Sequence, residues 1–579
     1  MRKIAIVGAG ESGAQLALGL QREGYAITLF SDRSAAQIRT GRVMSSQCVF
    51  STALAAEAQL SPALSGLYDG GTVPGINALT LRVEGDSATE RIEWGAPLEG
   101  TAHSIDQRIK SAAWIETFVA AGGDFRIEKV TPRMLEELSR DYELIIVSTG
   151  KGEIGQIFPK DKSKSPFDRP QRVLALNYVS ITSAADEQRP DSIRMSVVPG
   201  VGEFFTFPGL TVSGPCQMMV FEGVVGGPMD RWTDVTTPEE QLSRSLEILD
   251  EFFPHESKNF AGASLTDAGA TLLGRITPTV RSAVGELANG ELVFGLGDAV
   301  LLNDPLTGQG SNNATLAARY YLDSVLRRGQ QPFDRGWMEQ TFDEFWRGWG
   351  QWAVAWTNDM LKPRRDHQRL VLSEASSHQA LASRIAEGFD DPRTFYPWWF
   401  DPAAASEFVQ TQKEEDSAVF DLRDFRSALG QFATGVTVVT TLGADGRKVG
   451  MTANSFASVS MEPPLVLWCP SKKAPSLVDF EDSTHFAINI LASDQHVLSR
   501  QFATPSTDKF AGAETSEGIA GIPLLEGAVA TFQCRTVSRH DAGDHVIYVG
   551  EVEKYENTGG SPLVFHSGKY HATANHPDF

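Results

Sequence analysis

Near the start of the chain Gly8-Ala9-Gly10-Glu11-Ser12-Gly13 forms a GxGxxG run, a spacing whose chemistry is the capture of a pyrophosphate. The first glycine makes a tight turn and the second lets phosphates approach the backbone. The third allows close helix–strand packing, and the helix that follows turns free N–H groups toward the anion. The usual ribose-binding acid ends the next strand, but Ser31 holds that place and Asp32 comes one later. Asp32 binds the ribose or caps the turn, and the spacing does not choose. Far downstream, Gly297-Asp298 and then Asp304-Pro305-Leu306-Thr307-Gly308-Gln309-Gly310 again join a strand end to a glycine loop that opens a helix. A third set lies in the last quarter. Thr452, Asn454, Ser455 and Ser458 put hydroxyls and an amide on one turn, and Ser471, Lys472 and Ser476 add donors and a positive charge. Such a set suits a flavin's phosphate and ring edge, although a Ser/Thr turn is commonly only a satisfied turn. His545, taken alone, reads as structural.

These residues need elements to hold them. Residues 3–7 read as a buried strand, 14–23 as a helix stopped by Gly24, and 26–30 as a second strand, which is a βαβ opening. Helices follow over 112–121 and 135–140, a buried strand over 144–147, and alternating strands over 172–225, as in a sheet lying over a pocket. A strand at 291–297 leads into a long helix, roughly 311–327, and 335–400 is helical and rich in tryptophan. Beyond Phe420 short β-branched strands such as 436–441 and 465–468 alternate with glycine and proline turns, a β-barrel pattern. Phe456, Phe502 and Phe510 belong to its core. The predicted organisation is a region over 1–402, a polar linker over 403–419 whose residues also suit a solvated helix, and a domain over 420–579.

Composition narrows the function. At 579 residues the chain exceeds one hydrophobic core. A formal net charge of -22 leaves no basic stripe for nucleic acid. Four scattered cysteines with no CxxC pair argue against a disulfide framework or a zinc site, and fit a reducing compartment. No apolar run is long enough to span a bilayer, so no membrane role and a cytoplasmic location are expected. No metal-ligand spacing, GxSxG elbow or Walker loop is present, so no metal site is expected.

With those residues in view, two resemblances emerge. The Gly297–Gly310 arrangement resembles the second FAD fingerprint of the flavoprotein hydroxylases, which implies that Asp298 holds the ribityl chain and that the helix N-terminus sits by the isoalloxazine. Within that group the stretches Gly8–Gly13, Phe30-Ser31-Asp32-Arg33, Asp106-Gln107-Arg108, Ser148-Thr149-Gly150-Lys151 and Gly295–Asp298 resemble the epoxidase component of the styrene/indole monooxygenase family. The resemblance covers roughly residues 1–400. It implies that Gly8, Gly10, Gly13, Asp32, Arg108, Gly297, Asp298, Gly308 and Gly310 bind FAD, and that Arg42, Met44 and Ser45 lie beside flavin and substrate. It also implies a pocket wall of Pro305, Leu306 and Thr307. Ser45 stands where the family usually has asparagine. The runs Phe425–Thr440 and Gly450–Ser460, with Gly543-Asp544-His545, resemble the short-chain flavin reductases. That resemblance implies a flavin site at Thr452, Asn454, Ser455, Ser458, Lys472 and Ser476, with His545 helping to place a nicotinamide.

The fold class implied is α/β: a Rossmann-like FAD-binding domain of flavoprotein-hydroxylase type with a β-sheet substrate domain and C-terminal helices, followed by a split-β-barrel reductase. The activity implied is a self-sufficient two-component flavin monooxygenase. NADH would reduce FAD or FMN in the second part. Reduced FAD would pass to the first, react with O2 to a C4a-peroxide, and epoxidise a small aromatic alkene such as styrene; indole and sulfides are further substrates on the same reasoning. A homodimer through the reductase part, and delivery of reduced FAD to a separate epoxidase, are compatible partnerships. Two alternatives stay open: a single-component aromatic hydroxylase with an accessory barrel, and a non-enzymatic flavin carrier or sensor.

Overall fold

The computed structural model describes residues 2–45, 47–62, 73–85, 91–150, 152–181, 191–418, 422–504, 506 and 508–574. Lys151, quoted above, lies outside them. The chain divides into two units, Met1–Asp416 and Ser417–Phe579.

The first unit opens as expected. Strand Lys3–Val7 is four-fifths buried, and helix Glu11–Arg22 carries the chain over to strand Ala26–Ser31, which pairs parallel to it from Lys3 opposite Ala26. Six strands form the sheet in the order Val284–Glu286, Leu292–Gly295, Leu144–Val147, Lys3–Val7, Ala26–Ser31, Asp124–Ile127. Only the outer pair 284–286 and 292–295 is antiparallel. Helix Gln309–Arg328 lies against Glu11–Arg22, where a Cβ on Gly19 would come within 2.9 Å of Leu322. Buried Gln15 donates to Thr315 across the same seam at 2.9 Å.

A second sheet is built from Arg172–Ser180, Ser192–Val198, Gly202–Thr211 and Gly214–Val224, extended by Gly75–Val83 and Ile92–His103. The central strands are buried along almost their whole length rather than at alternate residues. The reason is that both faces are covered. Phe204, Phe221 and Trp232 pack with Ile248 and Leu249 of helix Pro238–Phe252 on one side. Leu174, Leu176, Tyr178 and Met218 pack with Leu306 and Trp356 on the other.

The expected linker over 403–419 takes a different form. Helix Pro402–Ala418 continues the first unit, because Ala405 and Val409 bury an apolar stripe in the same cluster as Trp398 and Trp399. Lys413 ties it to Glu374 at 2.7 Å. The run is polar on one side only, so composition averaged over both sides resembled a linker.

In the second unit seven strands form an antiparallel sheet in the order Lys448–Ala453, Thr437–Leu442, His485–Ile490, Ala530–Ala542, His545–Asn557, Pro464–Trp468, Ala457–Met461. A three-stranded sheet of Thr434–Gly435, Leu563–His566 and Lys569–Ala572 accompanies it. Trp468, Phe486, Ile488 and Tyr548 form the core, and Phe502 stacks edge-on against Phe510. No described helix in either unit is long and apolar enough to cross a membrane.

Candidate functional site

Three parallel strands of the first sheet end side by side, at Val7, Val147 and Gly295, and the glycine motifs leave from those ends. Gly8 has φ +112°, a conformation that L side chains rarely adopt, and its N–H donates to Phe30 O at 2.9 Å. Ser148 Oγ donates to Gly8 O at 2.8 Å. A Cβ on Gly13 would overlap both the Gly8 carbonyl and the Ser148 hydroxyl, and one on Gly297 would overlap Ser12 Oγ. Gly150 packs on the Asp298 carbonyl in the same way, at 2.5 Å from its would-be Cβ. The two distant motifs are therefore locked onto one another through bare backbone. A Cβ on Gly10, by contrast, would meet nothing. Packing within the chain does not require that glycine.

Both helices that leave these turns start without a side-chain cap. Gly10 is the N-cap of Glu11–Arg22, and Gly308, at φ +68°, is the N-cap of Gln309–Arg328. Stability alone would favour Ser, Thr, Asp or Asn at an N-cap. Two uncapped N-termini at the carboxyl edge of a parallel sheet are donor clusters suited to anionic groups. A cradle of this kind suits a phosphate-bearing cofactor. Asp298 is exposed at the edge of the cradle; Asp32 is exposed beside Arg33, with an ion pair of 3.5 Å.

Arg108 does not sit as expected. All five of its N–H groups are spent on the protein, so none remains for a cofactor. Nε donates to Asp106 at 2.8 Å, and Nη1 to Gly41 O at 3.1 Å and Asp267 at 2.7 Å. Nη2 donates to Thr211 at 3.0 Å and Asp267 at 2.9 Å. Burial works against the Asp267 carboxylate, but Arg108 overrides it and holds the group below the usual range. Arg108 is a clamp on the segment that carries Arg42–Ser45.

That segment is fixed from three sides. Val43 N–H donates to Gly269 O at 2.8 Å, Gly41 O accepts from Arg108, and Ser45 O accepts from the Tyr178 hydroxyl at 3.0 Å. Arg42 is exposed, and the buried Ser45 hydroxyl makes no hydrogen bond among the described residues. Met44 Sδ accepts from Arg33 at 3.1 Å. Opposite stands the short turn Pro305–Thr307, whose Leu306 joins the apolar face of the second sheet. Thr307 is buried, and its hydroxyl pairs with Thr357 at 2.6 Å, so it braces the turn from behind. The structure thus brings Val43, Ser45 and Leu306 to one apolar sheet face beside Tyr178, whereas Met44 packs instead on the core of the first sheet and the Thr307 hydroxyl is turned away.

Farther along that sheet face lies a buried charge group. Arg172 grips Glu203 through two bonds of 2.8 and 2.9 Å. Glu222 stands directly opposite Glu203 across the strand pair, with neither carboxyl oxygen hydrogen-bonded among the described residues. Burial, and then the neighbouring Asp304 and Glu203, push it well above the usual carboxylate range. Asp304 caps the 305–307 turn through Leu306 N–H at 3.1 Å, and burial pushes its carboxyl up to about 7. Sequence reasoning named none of Tyr178, Glu222 or Asp304 as functional. The available signal was an acid, Glu222, interrupting the apolar run from Met218 to Val225.

In the second unit the expected residues form a continuous rim. Ser455 Oγ accepts from Cys469 N–H at 2.9 Å, tying the Asn454–Phe456 turn to the end of strand Pro464–Trp468. Lys472 N–H donates to Asp544 O at 2.9 Å, and Ser471 bridges to His545. His545 Nδ1 lies 2.8 Å from Asp544 Oδ1, and the imidazole is half-exposed. Asn454 and Ser458 are exposed on this rim, and Ser476 starts helix Leu477–Asp482 without capping it through its side chain. Thr452 sits apart from this role, because its hydroxyl donates to Ser499 O at 2.6 Å. An open cleft of about 540 Å³ is lined by Lys472, Leu477, Val478, Glu481 and Asp541.

Comparison with known proteins adds to this geometry. Residues 429–574 match the family described as "Flavin reductase like domain", and residues 150–258 match "Styrene monooxygenase A putative substrate binding domain". The chain is 48% identical over 148 residues to the FMN reductase (NADH) SmoA of Agrobacterium fabrum, an alignment that covers 26% of this chain and 84% of that protein. It is 43% identical over 157 residues to the flavin-dependent monooxygenase reductase subunit HsaB of Mycobacterium tuberculosis, covering 27% of this chain and 83% of that one. It is also 28% identical over 337 residues to the styrene monooxygenase StyA of Pseudomonas fluorescens, covering 56% of this chain and 77% of that protein.

Proposed function

The chain belongs to the flavin reductase family through its C-terminal unit and joins that unit to a StyA-like monooxygenase, and we propose that it epoxidises styrene-like aromatic alkenes as a self-sufficient two-component flavin monooxygenase. The observation that carries this reading is the meeting of two uncapped, glycine-flanked helix N-termini in a unit separate from the Ser455–Lys472–His545 rim. One polypeptide then has a place for flavin to receive electrons and another for it to spend them.

In the second unit the Asn454–Ser458 turn, Lys472 and Ser476 hold FAD or FMN, and His545, oriented by Asp544, positions the nicotinamide of NADH. In the first unit FAD lies in the Gly8–Gly13 and Gly297–Gly310 cradle. Bound there in its reduced form, it supplies activation of O2 and transfer of one oxygen atom to an electron-rich substrate. The protein's part is orientation and exclusion of water. Tyr178 and Arg108 hold the Arg42–Ser45 segment against the apolar sheet face, and Leu306 packs on that same face. Indole and sulfides, being electron-rich, suit the same pocket. A dimer through the reductase unit and export of reduced FAD to a separate epoxidase belong to the same proposal, as does a cytoplasmic location.

Replacing His545 by alanine in the full chain tests the division of labour. The variant is expected to lose NADH oxidation while still forming styrene oxide when chemically reduced FAD is supplied in air. Loss of NADH oxidation together with loss of that rescue would overturn the two-site reading. Unimpaired NADH oxidation in the variant would favour a single-component hydroxylase instead.

A further inference from the structure

Glu11 occupies a variable place in the GxGxxG run, and its side chain has not been assigned a role. It is the first residue of helix Glu11–Arg22, yet only 6% exposed. A first-turn acid on an exposed helix is an ordinary dipole partner. Here the carboxylate is buried inside the cradle. Oε2 accepts from Gln107 at 3.3 Å, while Oε1 has no hydrogen bond among the described residues. Lys110 Nζ approaches Oε1 only to 3.6 Å, because it is drawn to Glu57 at 2.6 Å. Ser311, in the first turn of helix Gln309–Arg328, adjoins the same carboxyl.

Helix Gln107–Ala120 contributes Lys110 and Gln107, helix Ser51–Leu60 contributes Glu57, and helix Gln309–Arg328 contributes Ser311. His103, which interacts with Lys110 and Glu57, is held below its ordinary value mainly by burial. Two carboxylates share one ammonium, all three nearly inaccessible to water. When both acids are ionised these three side chains together carry one net negative charge, at the start of the helix whose N-terminus faces the pyrophosphate. An incoming dianion repels that charge, and the burial of all three side chains keeps solvent from screening it.

We propose that flavin binding in the first unit is linked to uptake of a proton by Glu11, so that the cradle holds FAD more tightly as pH falls. The proposal rests on the reading of Gly8–Gly13 as the pyrophosphate site. The sign follows from the charges. An anion beside Glu11 favours its neutral form, and by linkage the neutral form favours the anion. A proton is taken up as FAD enters and released as FAD leaves. The first unit's grip on its cofactor is therefore set by the pH at which it works. Removing the charge with Glu11→Gln, which keeps an acceptor for Gln107, is expected to tighten FAD binding about tenfold at slightly alkaline pH, the scale of one charge at a helix terminus.

The test is titration of the full-length protein with FAD at about pH 6, 7 and 8, for the wild type and for Glu11→Gln, with Gly13→Ala marking which of two binding phases belongs to the first unit. In the wild type that phase is expected to weaken as pH rises, while in Glu11→Gln it stays tight and flat; the other phase moves in neither. Two phases with identical pH profiles in both proteins would overturn the linkage. One phase in both would overturn instead the two-pocket reading beneath it. Should Glu11→Gln fail to fold, calorimetry of the wild type in two buffers of different ionisation enthalpy counts the protons directly. Uptake in the first-unit phase supports the proposal, and none refutes it.

Discussion

Replacing Asp304 by asparagine should make the first unit more stable in mild alkali and leave it unchanged in mild acid. Asp304 is 1% exposed and caps the turn that carries Leu306, and burial, opposed by the Leu306 N–H bond and by Arg172, pushes its carboxyl up to about 7 from an ordinary 3.8. Between those values the folded chain binds a proton that the unfolded chain does not. The stabilisation from the neutral carboxyl is complete below about pH 4, falls as pH rises, and is lost above about 7. At 1.36 kcal/mol per pH unit the loss is of order 4 kcal/mol. Asparagine keeps an oxygen for Leu306 N–H and never ionises, so the difference between the two proteins should grow from near zero at about pH 4 toward that figure at about pH 8. Urea unfolding followed by tryptophan fluorescence isolates the unit, because ten of the eleven tryptophans lie within Met1–Asp416 and only Trp468 in the second. Parallel stability profiles for the two proteins would show that Asp304 ionises normally and that the turn is not built on a neutral acid.

Three further outcomes follow from the same geometry. Arg108→Met leaves Asp106 and Asp267 without their shared cation and should cost about 3–5 kcal/mol in unfolding of the first unit, a loss that Arg108→Lys cannot restore because lysine offers no fork. Gly13→Ala, whose Cβ overlaps Gly8 O and Ser148 Oγ, should abolish oxygenation and one of two FAD-binding phases, with NADH-dependent flavin reduction measured in the same sample unchanged. Tyr178→Phe removes the bond to Ser45 O and should cost about 1 kcal/mol in stability, while raising hydrogen peroxide formed per NADH as the 42–45 segment loosens.

How far the fold could be read from the sequence depended on how local its physics is. The GxGxxG run, its flanking strand and its helix are set by residues within thirty positions, and they appear where expected. The long helix after Gly310 begins two residues early, because uncapped Gly308 can start it. What escaped was decided by distant contacts. Arg108 matched a binding motif, yet Asp267 and Gly41 consume its donors, and nothing in the local sequence announces partners 159 and 67 positions away. The segment after Pro402 resembled a linker until Ala405 and Val409 found the tryptophan cluster. The rim in the second unit was legible as residue types, but its assembly depends on backbone N–H bonds from Cys469 and Lys472 to separate turns, at Ser455 and Asp544. Asp304 was visible as part of a loop; that its carboxyl is pushed up to about 7 follows only from its burial.

The central claim is that electrons from NADH, taken up in one unit, are spent on O2 in the other within a single polypeptide. Its most direct measurement is the balance of a reaction run with NADH, FAD and styrene under ¹⁸O2, with NADH, styrene oxide and hydrogen peroxide all quantified. The account predicts styrene oxide carrying one ¹⁸O atom, and NADH consumption equal to epoxide plus peroxide. Epoxide without label, or NADH oxidation matched entirely by peroxide at saturating styrene, would contradict it.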